Sequence, residues 1–166
     1  MKITFIGGGN MATALIAGLI QQGLSPQDIQ VLEPNTDKGL QLQAQFGVNT
    51  YTEMGAWLKQ SEVIVLAVKP QILHTVAQGL QTYLDHTQQH VLVISIAAGI
   101  RSADISRWLG GYRNIIRVMP NTPAMVQQGI SGLYASAQIT PAHKQHAEQL
   151  LRTVGLAPEH AQRYPH

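Results

Sequence analysis

Short apolar runs alternate along the chain with segments in which apolar residues recur at helical spacing. Residues 63–68 and 91–96 are almost wholly apolar, which is typical of parallel strands buried on both faces. Residues 13–20 and 71–83 instead repeat Ala, Leu, Ile or Val every three or four positions, a pattern that predicts amphipathic helices. Because parallel strands need crossover connections, the alternation predicts an α/β fold with a doubly wound, mostly parallel sheet.

Segments with a less regular apolar pattern continue the alternation of strands and helices. Further strands are predicted at residues 3–6, 29–32, 47–50, 114–119 and 129–134, and further helices at residues 52–58, 102–109 and 141–154, with one more helix containing Leu40, Leu42 and Phe46. Gly23 stands where the C-cap glycine of the first helix is expected. Residues 156–166 contain two prolines and little apolar periodicity, so we expect one domain over residues 1–155 and a frayed tail after it.

Composition narrows the function classes. With 166 residues, 45% of them hydrophobic, the chain can bury a core as one domain. The net charge is only +2 and no basic run occurs, so we expect no nucleic-acid partner. No cysteine is present, which removes disulfides and thiol nucleophiles. The first strand begins within three residues and no apolar run reaches spanning length, so we expect a cytoplasmic protein without a membrane anchor.

Several kinds of catalytic site find no support in the sequence. His143 and His146 are three residues apart on the last predicted helix, but no carboxylate or cysteine completes a metal site beside them. We therefore expect surface histidines and no bound metal. A nucleophile elbow of the G-x-S-x-G type and a phosphate-binding P-loop are both absent.

The most informative stretch is G-G-G-N-M-A at residues 7–12, between the first strand and the first helix. It fits the pattern G-x-G-x-x-A, in which Gly7 permits a sharp turn and Gly9 lets a pyrophosphate approach the backbone. Ala12 would keep the helix close to the strand. The amide groups of the helix N-terminus would then face the phosphates. The alternative is a glycine turn without a ligand.

The end of the second strand leaves the type of dinucleotide open. Glu33 lies about twenty residues beyond the glycine turn, where an acid binds the ribose 2′-hydroxyl, and this favours NAD. Asn35, Thr36 and Lys38 follow it and offer donors that could hold a 2′-phosphate instead. Asn35, Thr36 and Asp37 are also typical helix-capping residues, and capping is compatible with either ligand.

Three later strand ends carry further candidate contacts, because ligands of such sheets bind at the carboxyl ends of the strands. Lys69 and Pro70 follow the strand at 63–68, although they also fit a surface lysine before a loop proline. The small residues Ala97, Ala98 and Gly99 would let a flat ring approach the backbone. Residues 120–123 place two polar side chains between two prolines at the same edge.

Four motifs together resemble the pyrroline-5-carboxylate reductase family. They are I-G-G-G-N-M-A at 6–12, A-V-K-P-Q at 67–71, S-I-A-A-G-I at 95–100 and R-V-M-P-N-T-P at 117–123. The resemblance covers residues 1 to about 155. It implies reduction of L-1-pyrroline-5-carboxylate to L-proline with NADPH or NADH, the last step of proline biosynthesis.

The resemblance also implies roles for individual residues. The implied contacts follow the cofactor in order along the chain. The first residues would contact the pyrophosphate, and later ones the adenosine ribose, the nicotinamide ribose and the nicotinamide ring. The implied cofactor contacts are Gly7, Gly9, Asn10, Met11, Ala12, Asn35, Thr36, Ala67, Val68, Lys69, Pro70, Ala97, Ala98 and Gly99. Met119, Pro120 and Asn121 are the implied substrate-side residues. Hydride transfer between cofactor and substrate requires no side chain of this chain to act as a base.

In the family, a following helical domain holds the substrate carboxylate and forms the homo-oligomer. The resemblance ends near Gly155, so that domain is expected to be absent here, which leaves the activity of the isolated chain open. Some relatives carry an arginine for the 2′-phosphate where this chain has Pro34, which leaves NADPH and NADH both open. The alternatives are a related reductase acting on another imine, a keto acid or a deazaflavin, and a non-catalytic dinucleotide-binding module.

Overall fold

The computed structural model describes residues 1–118 and, beyond them, Pro141 and Gln145. Within residues 1–118, six strands alternate with four α-helices and three short 3₁₀ helices. The strands are β1 (Ile3–Ile6), β2 (Ile29–Leu32), β3 (Asn49–Tyr51), β4 (Val63–Leu66), β5 (Leu92–Ser95) and β6 (Ile115–Arg117). The helices are α1 (Asn10–Gln21), α2 (Thr36–Phe46), α3 (Pro70–Leu80) and α4 (Ser102–Trp108).

All strands lie parallel in one sheet with the order β3-β2-β1-β4-β5-β6. The chain first builds outward from β1 through β2 to β3, then crosses back and places β4 on the other side of β1. The strand order therefore reverses between β1 and β4, and a crevice at the carboxyl ends of these two strands is where such folds bind ligands. The predicted doubly wound parallel sheet is confirmed.

The sheet has a hydrophobic core on each face. Side chains of Phe5 and Ile94 pack on one face with α1 and α2, whereas Ile6 and Val93 pack on the other with α3 and α4. Every residue of β1, β2, β4 and β5 is buried. This two-sided burial explains why the strands are continuous apolar runs rather than alternating ones.

Some predicted boundaries were wrong for identifiable reasons. Gly47 has a left-handed φ of 76° and ends α2, with its amide donating to the carbonyl of Gln43 at 2.9 Å. The third strand was predicted at 47–50 and instead runs Asn49–Tyr51, because Gly47 belongs to the helix cap. Gly23 also has a positive φ, 103°, directly after α1, as predicted for a C-cap glycine.

Two helices also differ from prediction. The segment predicted as a helix at 52–58 forms only a 3₁₀ helix, Ala56–Gln60, because Gly55 is fully extended and delays the first helical turn. The helix predicted at 71–83 begins at Pro70, whose ring suits the first helical position, and ends at Leu80. A separate 3₁₀ turn, Gln81–Tyr83, follows it.

Several predictions concern residues outside those described. They include the strand at 129–134, the substrate-side residues Met119, Pro120 and Asn121, both histidines of the metal search, and the domain end and tail at 155–166. In the segment predicted as a helix at 141–154, Pro141 and Gln145 are described and both are helical. Among the described helices, none has the length and apolarity needed to cross a bilayer.

Candidate functional site

The glycine turn lies at the point where the strand order reverses. The amide of Gly7 donates to the carbonyl of Leu32 at 2.9 Å, and the amide of Ala67 donates to the carbonyl of Ile6 at 2.9 Å. Gly7 has a φ of +105°, and a Cβ atom there would lie 2.8 Å from the carbonyl oxygen of Ala67. Both the backbone conformation and the contact with the end of β4 therefore require glycine at this position.

Gly9 differs from Gly7, because the position that its side chain would occupy is open space. Apart from Gly9 and its two chain neighbours, no described residue has a heavy atom within 4 Å of a Cβ built on Gly9, and the φ of −75° is accessible to any residue. Gly9 is the N-cap of α1, and no side chain in residues 1–118 caps this helix. The first turn contains no acidic residue. Free amide groups at the positive end of a helix, in front of an open cradle, fit an anionic group such as pyrophosphate.

The first three residues of α1 differ in burial: two are exposed and the third is buried in the core. Asn10 is exposed and Met11 is 39% exposed beside the glycine turn. Ala12 is 1% exposed and packs in the same core cluster as Phe5 and Ile16. A larger side chain at position 12 would push α1 away from β1, and the glycine turn with it.

Gly8 was not predicted as a functional residue, yet it is closely packed. A Cβ atom on Gly8 would lie 2.8 Å from Cδ1 of Leu42 on α2 and 3.1 Å from Oε1 of Glu33. The amide of Gly8 donates to this Glu33 oxygen at 3.1 Å. The middle position of G-x-G accepts any residue in the general pattern, so no signal in the sequence indicated this contact.

Glu33 connects the glycine turn with the loop that leads into α2. It directly follows β2, and its second carboxylate oxygen accepts a hydrogen bond from the amide of Asn35 at 2.9 Å. The side chain of Asn35 in turn accepts from the amide of Lys38 at 3.0 Å as the N-cap of α2. The capping role predicted for Asn35 is confirmed, and its oxygen is therefore already engaged.

A surface groove extends from Glu33 along the edge of the sheet. Thr36, the first residue of α2, is exposed and lines this groove together with Glu33, Thr50 and Tyr51. The ring of Tyr51 stacks on Trp57 with 3.9 Å between the ring centroids. The amide of Glu33 donates to the carbonyl of Tyr51 at 2.8 Å, so this aromatic pair stands beside the acid. The sequence analysis did not find the pair.

The loop after β4 lies against the other side of the glycine turn. Ala67 and Val68 are half-buried, and Cγ1 of Val68 would lie 3.2 Å from a Cβ on Gly7. Lys69 and Pro70 are exposed; Lys69 is the N-cap of α3 and Pro70 its first residue. These four predicted residues therefore form one continuous segment next to Gly7.

The segment after β5 contributes the third part of the same edge. The amide of Ile96 donates to the carbonyl of Leu66 at 3.1 Å, which places this segment beside the end of β4. Ala97 is 5% exposed and packs in the core, whereas Ala98 and Gly99 are exposed. Of the three residues predicted to face a ring, the last two are therefore accessible to a ligand. The amide of Val118 donates to the carbonyl of Ser95 at 2.8 Å, so β6 ends at this edge too.

The register brings these segments into one row. Ile6 pairs with Leu32 on one side and Leu66 on the other, and Leu66 pairs with Ser95. The residues that follow each of these positions are thus neighbours across the carboxyl edge of the sheet. An open glycine cradle before an uncapped helix, at the switch point of a parallel sheet, defines a Rossmann-type dinucleotide-binding domain.

The comparisons with known proteins agree with this class. The model of a family described as NADP oxidoreductase, coenzyme F420-dependent, matches residues 2–99. The chain belongs to this family.

The resemblance to pyrroline-5-carboxylate reductases is confirmed by curated relatives. The chain is 42% identical over 156 residues to pyrroline-5-carboxylate reductase from Pseudomonas aeruginosa, covering 94% of this chain and 56% of that protein. It is 46% identical over 158 residues to the Pasteurella multocida protein of the same name, covering 93% of this chain and 56% of the relative. The chain thus spans a little over half the length of these relatives.

Solved structures resemble the chain over the same extent. A pyrroline-5-carboxylate reductase from Coxiella burnetii superposes with a TM-score of 0.78 at 39% identity, covering 93% of this chain and 57% of that one. The Plasmodium falciparum pyrroline carboxylate reductase with NADP bound gives a TM-score of 0.72 at 22% identity, covering 94% and 56%. At that lower identity the likeness shows the fold alone.

Proposed function

We propose that the chain is the dinucleotide-binding part of a pyrroline-5-carboxylate reductase, which reduces L-1-pyrroline-5-carboxylate to L-proline with NADPH or NADH. The observation that carries this proposal is the identity of 42% and 46% to curated reductases of that name over more than nine-tenths of the chain. The family description, an NADP oxidoreductase, supports a nicotinamide dinucleotide as cofactor. The domain would comprise residues 1–155.

The pyrophosphate would bind at the glycine turn. Gly9 leaves the room, and the amides of Asn10, Met11 and Ala12 at the start of α1 would donate to the phosphate oxygens. Gly7 would hold the turn in place against Ala67. Asn35 and Thr36 would lie beside the adenosine ribose, a role supported by their position at the start of α2, next to Glu33.

The nicotinamide half would extend across the ends of β4 and β5. Ala67, Val68, Lys69 and Pro70 would line the nicotinamide ribose, and the contact of the first two with the glycine turn supports this path. Ala98 and Gly99, which are exposed and follow buried Ala97, would lie against the ring. Met119, Pro120 and Asn121 would stand on the substrate side.

The bound dinucleotide supplies a hydride for the carbon of the C=N bond. The work of the protein is to align donor and acceptor and to exclude water, which makes the reaction effectively unimolecular. In this domain the rigid elements that perform the alignment are the glycine turn and the β4 and β5 ends, all held by backbone hydrogen bonds of 2.9 to 3.1 Å. No side chain among the proposed cofactor contacts is needed as a general base.

The proposal is tested with the chain as it is and with a fusion to the remaining C-terminal part of the Pasteurella multocida relative. Oxidation of NADPH and NADH is followed with and without L-1-pyrroline-5-carboxylate, and proline is identified as product. We expect substrate-dependent turnover by the fusion. The same fusion carrying Gly9→Val serves as control and should be inactive.

A fusion that binds the dinucleotide but reduces another imine or a keto acid instead would contradict the substrate assignment. Self-association through the part of the relatives not matched here, and a cytoplasmic location, belong to the same proposal. Analytical ultracentrifugation of the fusion and fractionation of cells that express it test these two points.

A further inference from the structure

A second cavity lies at the edge of the sheet opposite to the proposed dinucleotide site. It has a volume of about 340 Å³ and is lined by residues that precede β4 and β5 or follow α3. Val63 of β4 pairs with Leu92 of β5, so the residues before these two positions are neighbours at the amino edge. Each of the two strands has four residues, which separates this cavity from the carboxyl edge by about 10 Å. A small ligand bound here would therefore not contact the glycine turn.

The most buried part of the cavity wall is largely apolar. Leu84 and Val91 line the cavity, are 6% and 4% exposed, and belong to the hydrophobic core on the α3 and α4 face of the sheet. The half-buried Tyr83 packs against the same core and lines the cavity too. The apolar part of a ligand would be removed from water against these three side chains, which favours binding.

Charged groups of both signs line the same cavity. Lys59, in the 3₁₀ helix before β4, supplies an ammonium group, and Asp85, which follows α3 and its 3₁₀ turn, supplies a carboxylate. Both residues are exposed, and within residues 1–118 neither takes part in an ion pair. The two opposite charges therefore line one cavity without neutralising each other. A ligand that carries both signs can pair with each of them.

The carboxylate of Asp85 is fixed by backbone amides. Its Oδ1 atom accepts hydrogen bonds from the amide of Thr87 at 2.9 Å and from the amide of Gln88 at 3.2 Å. The bond from Gln88 and then the bond from Thr87 lower the pKa of Asp85 below its ordinary value, so the group is charged at neutral pH. In the described part of the chain the Oδ2 atom accepts no hydrogen bond, which leaves it for a donor on a ligand.

Simpler ligands fit this combination of groups less well. A monocarboxylate would pair with Lys59 but would place a second negative charge near Asp85, and a simple amine would place a second positive charge near Lys59. A phosphate would be repelled by Asp85 in the same way. A zwitterion with a small apolar body satisfies both charges and the apolar wall. The volume lies at the lower end of the range for small-molecule sites, which favours a small ligand.

We propose that the cavity before β4 and β5 binds a small apolar α-amino acid in its zwitterionic form. The carboxylate of the ligand accepts hydrogen bonds from Lys59 and from His90, whose imidazole also lines the cavity. The ammonium group of the ligand donates to Oδ2 of Asp85, and its apolar side chain covers Leu84 and Val91. This site is separate from the dinucleotide site and does not depend on the proposed function.

The test is a titration of the isotope-labelled 166-residue chain with L-proline, the small apolar amino acid that the proposed reaction would form, followed by NMR chemical shifts of the backbone amides. We expect shifts at residues 84–91 that saturate with a dissociation constant of about 1 mM or below, and no shifts at residues 7–12. Pyrrolidine lacks the carboxylate of proline, and cyclopentanecarboxylate lacks its amine. Each should bind at least about fivefold more weakly, because a charge-assisted hydrogen bond at a partly exposed site is lost.

Two variants remove one charge each at nearly constant side-chain size. Lys59→Gln removes the cation, and Asp85→Asn removes the anion but keeps an oxygen that accepts from Thr87 and Gln88. Each should weaken the binding of L-proline by at least about fivefold. Lys38→Gln is the matched control, since it removes the same charge as Lys59→Gln but lies on α2, outside the cavity lining, and should change the affinity by less than about twofold.

The absence of saturable shifts at residues 84–91 up to about 20 mM L-proline would overturn the site. Shifts confined to residues 7–12 would overturn it as well, because they would place the ligand at the dinucleotide edge. Equal affinity for either proline analogue, or affinity unaltered by Lys59→Gln and Asp85→Asn, would overturn the pairing of a zwitterion with these two charges. Titrations of the same sample with NADH and NADPH, monitored at residues 7–12, test the proposed dinucleotide site separately.

Discussion

Gly7 and Ala67 contact each other across the two central strands, such that a Cβ atom on Gly7 would lie 2.8 Å from the carbonyl oxygen of Ala67. This contact joins the glycine turn after β1 to the loop after β4, the two halves of the crevice at the switch point. Gly7 is thus primarily a packing residue, and the room for a ligand is supplied by Gly9.

We predict that Gly7→Ala lowers the free energy of unfolding by at least about 2 kcal/mol, because a strained φ and an overlap with backbone add together. Gly23→Ala is the matched control. Gly23 has nearly the same φ, +103°, but apart from Gly23 and its two chain neighbours no described residue has a heavy atom within 4 Å of its Cβ position. Urea unfolding of both variants measures the difference. Equal losses would show that the contact with Ala67 contributes nothing.

Gly9→Val is predicted to abolish binding of both NADH and NADPH while lowering the free energy of unfolding in urea by no more than about 1 kcal/mol, the usual cost of an unfavourable N-cap residue. The branched side chain fills the open cradle, and a φ of −75° accommodates valine without strain. Gly9→Ala should cause a smaller loss of affinity for both dinucleotides. Isothermal titration calorimetry of both variants measures these losses. Affinity unaltered by valine would remove Gly9 from the proposed site.

A buried polar cluster that joins β1, β2 and the segment before β4 is predicted to stabilise the sheet. Thr4 donates through Oγ1 to Oε1 of Gln30 at 3.1 Å and shares a hydrogen bond of 2.5 Å with the hydroxyl of Ser61. All three residues are at most 4% exposed. Thr4→Val should cost about 1–3 kcal/mol of unfolding free energy, because two buried polar partners lose a hydrogen bond.

The control for this cluster is Thr50→Val, which removes a hydrogen bond from Gln43 at an exposed site. We expect it to change the unfolding free energy by less than about 0.5 kcal/mol. Similar effects of the two substitutions, measured by urea unfolding, would contradict a special contribution of the buried cluster.

Tyr112 is predicted to make stability depend on pH in alkaline solution. Its hydroxyl donates to the carbonyl of Val91, and burial, assisted by the charge of Asp85, raises the pKa of Tyr112 above its usual value of 10.0. The folded state therefore keeps this proton more tightly than the unfolded state. The stabilisation is complete below about pH 10 and is lost as the pH rises above it, where the unfolded chain ionises first.

Tyr112→Phe should lower the unfolding free energy at neutral pH by about 1 kcal/mol and flatten its decline above pH 10. Urea unfolding between about pH 8 and about pH 11 tests both effects. A decline of the same steepness in the phenylalanine variant would assign the alkaline effect to other groups.

The amino-acid sequence predicted the fold class because its determinants are local. Apolar runs such as 63–68 identify strands buried on both faces, and helical periodicity between them implies crossovers. The boundaries that failed, at Gly47 and around Gly55, depend on backbone conformations that composition does not specify. The roles of the cofactor-site residues stay predictions, although the described ones do lie together at one edge of the sheet.

The chain alone predicted the glycine turn, its place between a strand and a helix, and the candidate contacts that follow the later strands. Tertiary structure decided which atoms meet there: Gly7 against Ala67, and Gly8 against Glu33, which are 25 positions apart. These contacts arise from the register of β1 with β2 and β4, a property of paired strands that no single segment encodes. The same pattern of residues therefore predicted a dinucleotide site, whereas the contacts that fix the glycine turn in place became known only from the tertiary structure.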